Sequence, residues 1–369
     1  MRTKIIANYL PQYHRIPEND KWWGEGYTDW EAVKRTTPVY DGHRQPREPL
    51  EGYYDLSDEK DIRWQVDLAR KHGIDGFGIY HYWFSSKQQL LTKPAEIILN
   101  NTDIGIDFFF IWDNGSWKKT WSKVKGPTND WAPLFENPDE IENDNGILAE
   151  LVYGDESEWK AHFEFLLPYF RDERYIKIDC RPVFVIFHLD NNKELLKKMV
   201  CYWNELAVEA GFRGVYIIGQ VNTNGAHFAD EEFKYQPQWD AWANRSFAAK
   251  VKNKLIPSNK HFFDYDEVWK EILLCAEKDK SKNISFGAFV DYDDSPRRGE
   301  NGRIFKGATP QKFEMYFEKL LRLSNQNNKH FIFLTAWNEW GEGAYLEPDT
   351  FNRYKYLEAL KRAVERNTQ

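Results

Sequence analysis

The chain has 369 residues, 41% hydrophobic and 29% charged, with no low-complexity tract, which excludes a disordered or fibrous protein and provides for a sizeable core. A net charge of −8 and a pI near 5.7 exclude broad binding to nucleic acid or an anionic membrane, because phosphates need a basic face. The three cysteines, Cys180, Cys201 and Cys275, lack metal-like spacing and read as reduced structural thiols.

The opening, MRTKIIANYLPQYH, has too short an apolar run for a signal peptide, and no later stretch approaches the length of a membrane span. A cytoplasmic protein without membrane insertion is expected. KIIANYL (4–10) is the first predicted strand, and the polar residues Asn8, Tyr9, Gln12, Tyr13 and His14 lie at or just beyond its end. In SDEKDIRWQVDLARKHG (57–73), Ser57 offers an N-cap, acids fill the first turn and Gly73 is a stop, so a helix burying Ile62, Val66 and Leu68 is expected. Further strands are predicted at 75–84, 107–114, 183–189, 214–221, 239–245, 284–292 and 330–340, and further helices at 158–171, 192–211, 266–278, 309–326 and 350–366.

Strands that alternate with crossover helices form a parallel sheet, and about eight such units close into a (β/α)8 barrel of the TIM type. An open doubly wound sheet is the rival, and no glycine-rich phosphate loop follows the first strand to support it. The stretches 115–156 and 222–238 are too polar for a second domain, so a single domain over 1–369 with elaborated loops is expected.

Aromatic residues make up 17% of the chain, with 16 Trp and 20 Tyr. Most will be core, yet several gather beside polar groups at predicted strand ends: Trp22, Trp23 and Trp30; Tyr80, His81, Tyr82 and Trp83; Trp112, Asp113, Asn114, Trp117 and Trp121; Trp239 and Trp242; Trp337, Asn338 and Trp340. Flat faces mixed with hydrogen-bonding groups suit sugars. A lone His81 reads more readily as a satisfied core residue, and it is the convergence of these clusters on one face that points to a cleft.

The last strand delivers Glu339 and Glu342 to the C-terminal barrel face, where such folds build their sites. Glycosidic cleavage commonly uses two carboxyl groups in unequal environments. An E-x-x-E alone is a weak signal; its position after an apolar strand, between tryptophans and glycines, favours a catalytic pair over surface acids. No matching histidine pair lies nearby, so neither a metal nor another cofactor is expected. In VDYDDSPRRGENGRIFKGATP, Arg297 and Arg298 with Asp291, Asp293 and Asp294 form either a clamp for a polyhydroxylated ligand or a loop salt bridge, and its DYD also matches the DxD of nucleotide-sugar transferases, as FDYDE at 263–267 does by chance.

The stretches YLPQYHRIPENDKWWGEGYTDW, DGHRQPREPLEGYYDL, GIDGFGIYHYWF, DDSPRRGENGRIFKGATP and TAWNEWGEGAYLEPD resemble the WbsX-type proteins, described as glycosyltransferases of bacterial polysaccharide biosynthesis, over about residues 4–366. Those in turn resemble glycoside hydrolase family 99, α-mannosidases and α-mannanases. That resemblance implies that Glu339 is a base acting on the sugar's own neighbouring hydroxyl and that Glu342 protonates the leaving oxygen, with an anhydro-sugar intermediate and retained configuration. Relatives often read WANENW where this chain reads WDNGSW, so Asp113 replaces Ala and Gly115 replaces Glu. Three functions follow: a retaining hydrolase for α-linked mannose-like or deoxyhexose residues; a glycosyltransferase of O-antigen or capsule synthesis using a nucleotide sugar; and a non-catalytic glycan-binding barrel.

Overall fold

Strand follows helix until the sheet closes on itself. In the computed structural model, β1 (Lys4–Tyr9), β2 (Gly76–Ser85), β3 (Asp107–Trp112), β4 (Arg181–Ile186), β5 (Tyr216–Gln220), β6 (Glu231–Phe233), β7 (Ile284–Phe289) and β8 (Phe331–Thr335) pair in parallel in that order, and β8 returns to β1. At the seam Ile6 stands in register with Phe333 on one side and Gly76 on the other. The chain is a (β/α)8 barrel. The structure describes residues 2–118, 147–221, 228–243, 262–281 and 283–368.

The surrounding helices are α1 (Glu59–Lys71), α2 (Lys93–Asn100), α3 (Glu156–Arg171), α4 (Lys193–Glu209), α5 (Tyr265–Lys278), α6 (Pro310–Gln326) and α7 (Lys355–Thr368). Side-chain caps mark several starts: Asp58 accepts from the Lys60 amide, Asp155 from Ser157, Asp264 from Glu267 and Thr309 from Lys312. The cap of α1 is therefore Asp58, one residue after the Ser57 expected. Its buried face comprises Ile62, Gln65, Val66 and Ala69, with Leu68 at the margin.

Two aromatic layers result. Phe109, Phe233, Phe331 and Phe333 fill the barrel, with Phe233 and Phe333 stacked at 4.3 Å and Phe109 edge-on to Phe331 at 5.6 Å. Between strands and helices lie Phe110 against Tyr169 (4.9 Å), Phe184 against Trp203 (5.1 Å) and Phe289 against Trp269 (5.4 Å). Each fully buried ring of this size stabilises the fold by roughly 1.5 to 3 kcal/mol.

One predicted strand is corrected. WDAWA within 239–245 forms a π-helical turn, Trp239–Ala243, and the sixth strand is instead Glu231–Phe233, inside the stretch 222–238 read as a loop. Helix α2 was also not expected. Of the insertion at 115–156, the base is described: Trp117–Lys118 pairs antiparallel with Ile147–Ala149. Trp121 and the side chain of Trp242 lie outside the described residues. Among those described, no helix is long and apolar enough to cross a membrane.

Candidate active site

Past the end of β8 the chain makes a short excursion over the barrel mouth. Asn338 anchors its start, because its amide accepts from the Leu10 N–H (2.8 Å) and donates to the Leu10 carbonyl (2.9 Å), tying β8 to the end of β1. Asn338–Glu339 then pairs antiparallel with Ala344–Tyr345, and a 3-10 turn, Trp340–Glu342, forms the tip. Gly343 closes the turn with φ +58°, a left-handed conformation, and a β-carbon there would lie 3.0 Å from that of Asp293.

This turn presents both glutamates to one guanidinium. Arg297, on the short helix Ser295–Arg298 after β7, donates from Nη2 to Glu339 Oε1 (2.9 Å) and from Nη1 to Glu342 Oε1 (3.2 Å). The two carboxylates differ in setting, with the Glu339 side chain 7% exposed against 18% for Glu342. Burial raises the Glu339 pKa well above the usual carboxylate range; Arg297 opposes the shift, while Glu342 and then Asp29 add to it. Asp29, which precedes the short helix Trp30–Arg35, is likewise raised by burial and pulled down by Arg297. A single guanidinium thus faces three carboxyl groups, an arrangement that retains a proton.

Tyrosines surround the acids. Burial raises the pKa of Tyr13, Tyr82, Tyr235 and Tyr292, and nearby carboxylates raise it further: Glu339 and Asp29 at Tyr13, Asp113 and Glu339 at Tyr82, and Glu342 at Tyr235 and Tyr292. All four therefore stay neutral hydroxyls, each able to donate and accept as sugar hydroxyls require. Tyr80 hydrogen-bonds Tyr235. Asp113 stands beside Tyr82 at the end of β3, pushed up to about 6 by burial, with His188 Nε2 3.8 Å away.

Other residues picked from the sequence lie elsewhere. Successive strand residues point to opposite faces, so while Tyr80 and Tyr82 reach the mouth, His81 and Trp83 face the helices. His81 Nε2 meets His162 Nε2 at 2.8 Å, Trp83 stacks on His162 at 4.4 Å and Trp112 packs edge-on to it at 5.0 Å. Burial drives the His81 pKa down to about 3 and His162 well below its usual value, so the pair is neutral. The expectation that His81, Trp83 and Trp112 line the cleft is thereby corrected.

Asn114 is fully used in bonds to Tyr153 and His188, and Asn338 is tied to Leu10. Tyr9 points outward and donates to Gln65 on α1 (2.6 Å). Gln12 and His14 are buried after β1, and burial lowers the His14 pKa. Trp23 packs on Tyr27 at 5.9 Å. Trp337 lies in the outer layer near Phe77 (5.6 Å). Trp340 is buried behind the turn, stacked on Tyr345 at 3.7 Å, and donates to Glu347 (2.7 Å).

The DDSPRR segment resolves into separate pairs. Arg297 serves the glutamates, whereas Arg298 holds Asp294 at 2.9 Å; burial pushes Asp294 up to about 6. Asp291 meets Arg47 at 3.0 Å, and Asp293 lies 2.7 Å from His43 Nε2 and accepts from Gln45 (2.8 Å). In FDYDE, Asp264 caps α5 and Asp266 binds Lys312 and Tyr316. Among the described residues no three His, Cys, Asp or Glu side chains gather as metal ligands. Residues not singled out from the sequence are Asp29, in the GYTDW stretch, and Tyr27, Tyr235 and Tyr292; Tyr13 stood among the polar residues after β1.

Comparison with known proteins now adds to this geometry. The family model described as "Glycosyltransferase WbsX" matches residues 5–360. Proteins called "Uncharacterized protein WxcX", from two strains of Xanthomonas campestris pv. campestris, are each 29% identical over 371 residues, covering 98% of this chain and 50% of theirs. The chain thus spans about half the length of the curated relatives it matches. Among solved structures, the glycoside hydrolase family 99 endo-α-mannosidase from Bacteroides thetaiotaomicron with bis-tris-propane superposes with a TM-score of 0.59 at 15% identity, over 99% of this chain and 97% of that one. A "glycoside hydrolase-like protein" gives 0.58 at 12%, over 98% and 94%. At such identities the likeness is one of fold.

Proposed function

The chain belongs to the WbsX glycosyltransferase family and is a carbohydrate-active enzyme, and from that premise we propose that Glu339 and Glu342 act together on the glycosidic bond of an α-linked, mannose-like residue. The observation that carries this reading is the pair of unequally buried carboxylates held by one guanidinium at the barrel mouth. The choice of a mannose-like sugar leans on the fold shared with an endo-α-mannosidase.

A carboxyl whose pKa is lifted toward neutrality is a stronger base than an ordinary one and still sheds its proton near working pH. Glu339 meets that description and takes the proton from the hydroxyl beside the anomeric carbon, whose oxygen attacks that carbon to give an anhydro-sugar. With Glu339 ionised, the proton that the coupled pair retains sits on Glu342, more open to the cleft, which gives it to the leaving oxygen. In the second half Glu342 recovers a proton from the water that opens the anhydro ring, and Glu339 returns one to the hydroxyl. Configuration is retained without a covalent enzyme adduct, one of the substrate-assisted routes to which the usual carboxylate-spacing rule does not apply. The neutral tyrosines and Asp113 bind the sugar's hydroxyls.

The family description favours a second reading, in which the hydroxyl of an acceptor sugar opens the intermediate in place of water. Incubation with α-linked mannose- and rhamnose-type oligosaccharides, with and without GDP-, UDP- and dTDP-sugars, separates the two when products are followed by mass. Cleavage without nucleotide that disappears in Glu339→Gln supports hydrolysis. Extension that requires a nucleotide sugar overturns it in favour of transfer, and no turnover with retained glycan binding leaves a binding barrel.

A further inference from the structure

We propose that Glu347, which touches neither glutamate, is a positioning residue that fixes the turn carrying them; the inference rests on the reading of Glu339 and Glu342 as the reacting pair.

The turn Trp340–Glu342 is three residues long and closes on one internal bond, Gly343 N–H to the Trp340 carbonyl at 3.1 Å. A 3-10 run that short does not hold its own shape. Its C-terminal end is pinned by the Asp293 N–H donating to the Glu342 carbonyl at 2.7 Å. Its N-terminal end is held by Asn338 through Leu10 and by Trp340, whose backbone N–H donates to the Tyr13 oxygen at 3.0 Å, whose ring stacks on Tyr345, and whose indole N–H donates to Glu347 Oε2 at 2.7 Å.

Glu347 ties that indole to the barrel wall. It also accepts from the Tyr54 hydroxyl (2.8 Å) and from Gln65 Nε2 (2.7 Å), while Gln65 accepts from Tyr9 (2.6 Å). The bonds run from the turn through one buried carboxylate to α1 and β1. A buried carboxylate is costly unless its partners satisfy it, and here three donors do. Among the described residues no cation, Arg297 included, is bonded to it. What Glu347 contributes is a set of acceptor positions for Trp340, Tyr54 and Gln65.

Substitution separates shape from charge. Glu347→Gln keeps an oxygen for Trp340 and Tyr54, and its amide can face Gln65 once that side chain turns to offer its own oxygen. Glu347→Leu removes every acceptor, and Trp340→Phe keeps the ring but deletes only the N–H. Two readouts apply: kcat and KM on the best oligosaccharide of the panel above, corrected for folded fraction, and the titration of Glu339 followed by NMR on carboxyl-13C-labelled glutamate in the free protein. Expected for Glu347→Leu and Trp340→Phe is a fall in kcat of roughly 10- to 100-fold with KM nearly constant, the loss typical of small misplacements. The Glu339 titration should also move toward the ordinary carboxylate range, and Glu347→Gln should restore both. A Leu variant that melts earlier yet keeps the wild-type Glu339 titration and kcat per folded molecule would overturn the inference. If Glu347→Leu does not fold, Trp340→Phe decides by the same criteria. Should the wild type turn over nothing, the proposed function fails while the titration still decides the role of Glu347.

Discussion

Gly341 lies directly beneath the Arg297 guanidinium: a β-carbon on it would come within 2.6 Å of Arg297 Nε and 3.1 Å of Glu339 Oε1. Its backbone does not need glycine's freedom, since its φ is not among the positive ones. The residue is small so that the arginine can reach both glutamates. Gly341→Ala should therefore fold normally but displace Arg297, lowering kcat/KM by roughly 10- to 100-fold with little change in Tm. Kinetics beside calorimetry check this, and full activity in the variant would mean that the fork is dispensable.

Removal of the charge gives a signed pH effect. Arg297 lowers the Glu339 pKa, so Arg297→Met should raise it. A base must be deprotonated, which places the acid limb of wild-type kcat/KM above the ordinary glutamate value of about 4.3 and moves it higher still in the variant. Arg297→Lys should bring the limb back toward wild type without restoring the rate, because an ammonium cannot bridge as a planar fork. A limb that stays in place across the three proteins contradicts the assignment.

The two glutamates should respond differently to the leaving group. Glu342→Gln should abolish cleavage of oligosaccharides yet spare activated aryl glycosides, since only a poor leaving group needs an acid. Glu339→Gln should disable both substrates. Equal losses in Glu342→Gln would remove its role as acid.

How much of this was legible beforehand depends on the local signal. The barrel was, because long amphipathic helices and β-rich runs of six or more residues carry periodicity. Strand β6 was not: three residues, two of them glutamate, carry no period, while the aromatic WDAWA run nearby imitates a strand and folds as a π turn. At the site, proximity to a strand end does not tell cleft from core, and the two-residue alternation does. Applied along β2 it separates Tyr80 and Tyr82 from His81 and Trp83. Asp29 left no local mark, since helices and loops far apart in sequence bring it beside Arg297.

Asp293 offers a test of the scaffold under the site. Its carboxylate is held down to about 2: burial pushes it up, and His43, Arg47 and Ser295 together outweigh that. With the folded pKa below an unfolded value of about 3.9, the stabilisation is complete above about pH 4 and disappears as pH falls through about 2. The shift amounts to about 2 to 3 kcal/mol. Asp293→Asn should lose about 3 kcal/mol at neutral pH, as removal of one partner of a buried ion pair does, and its deficit should shrink below pH 4. Urea unfolding across that range measures it, and a constant deficit would assign the loss to packing alone.

The bond between Asn338 and Leu10 spans 328 residues of sequence. Both glutamates ride on the segment that this bond docks, so they take their places only once β8 has met β1. Contacts of such separation form late, after loop-closure entropy has been overcome. While β8 is unmade or undocked the two glutamates have no place at the mouth: closure of the barrel seam and assembly of the candidate site are one folding event.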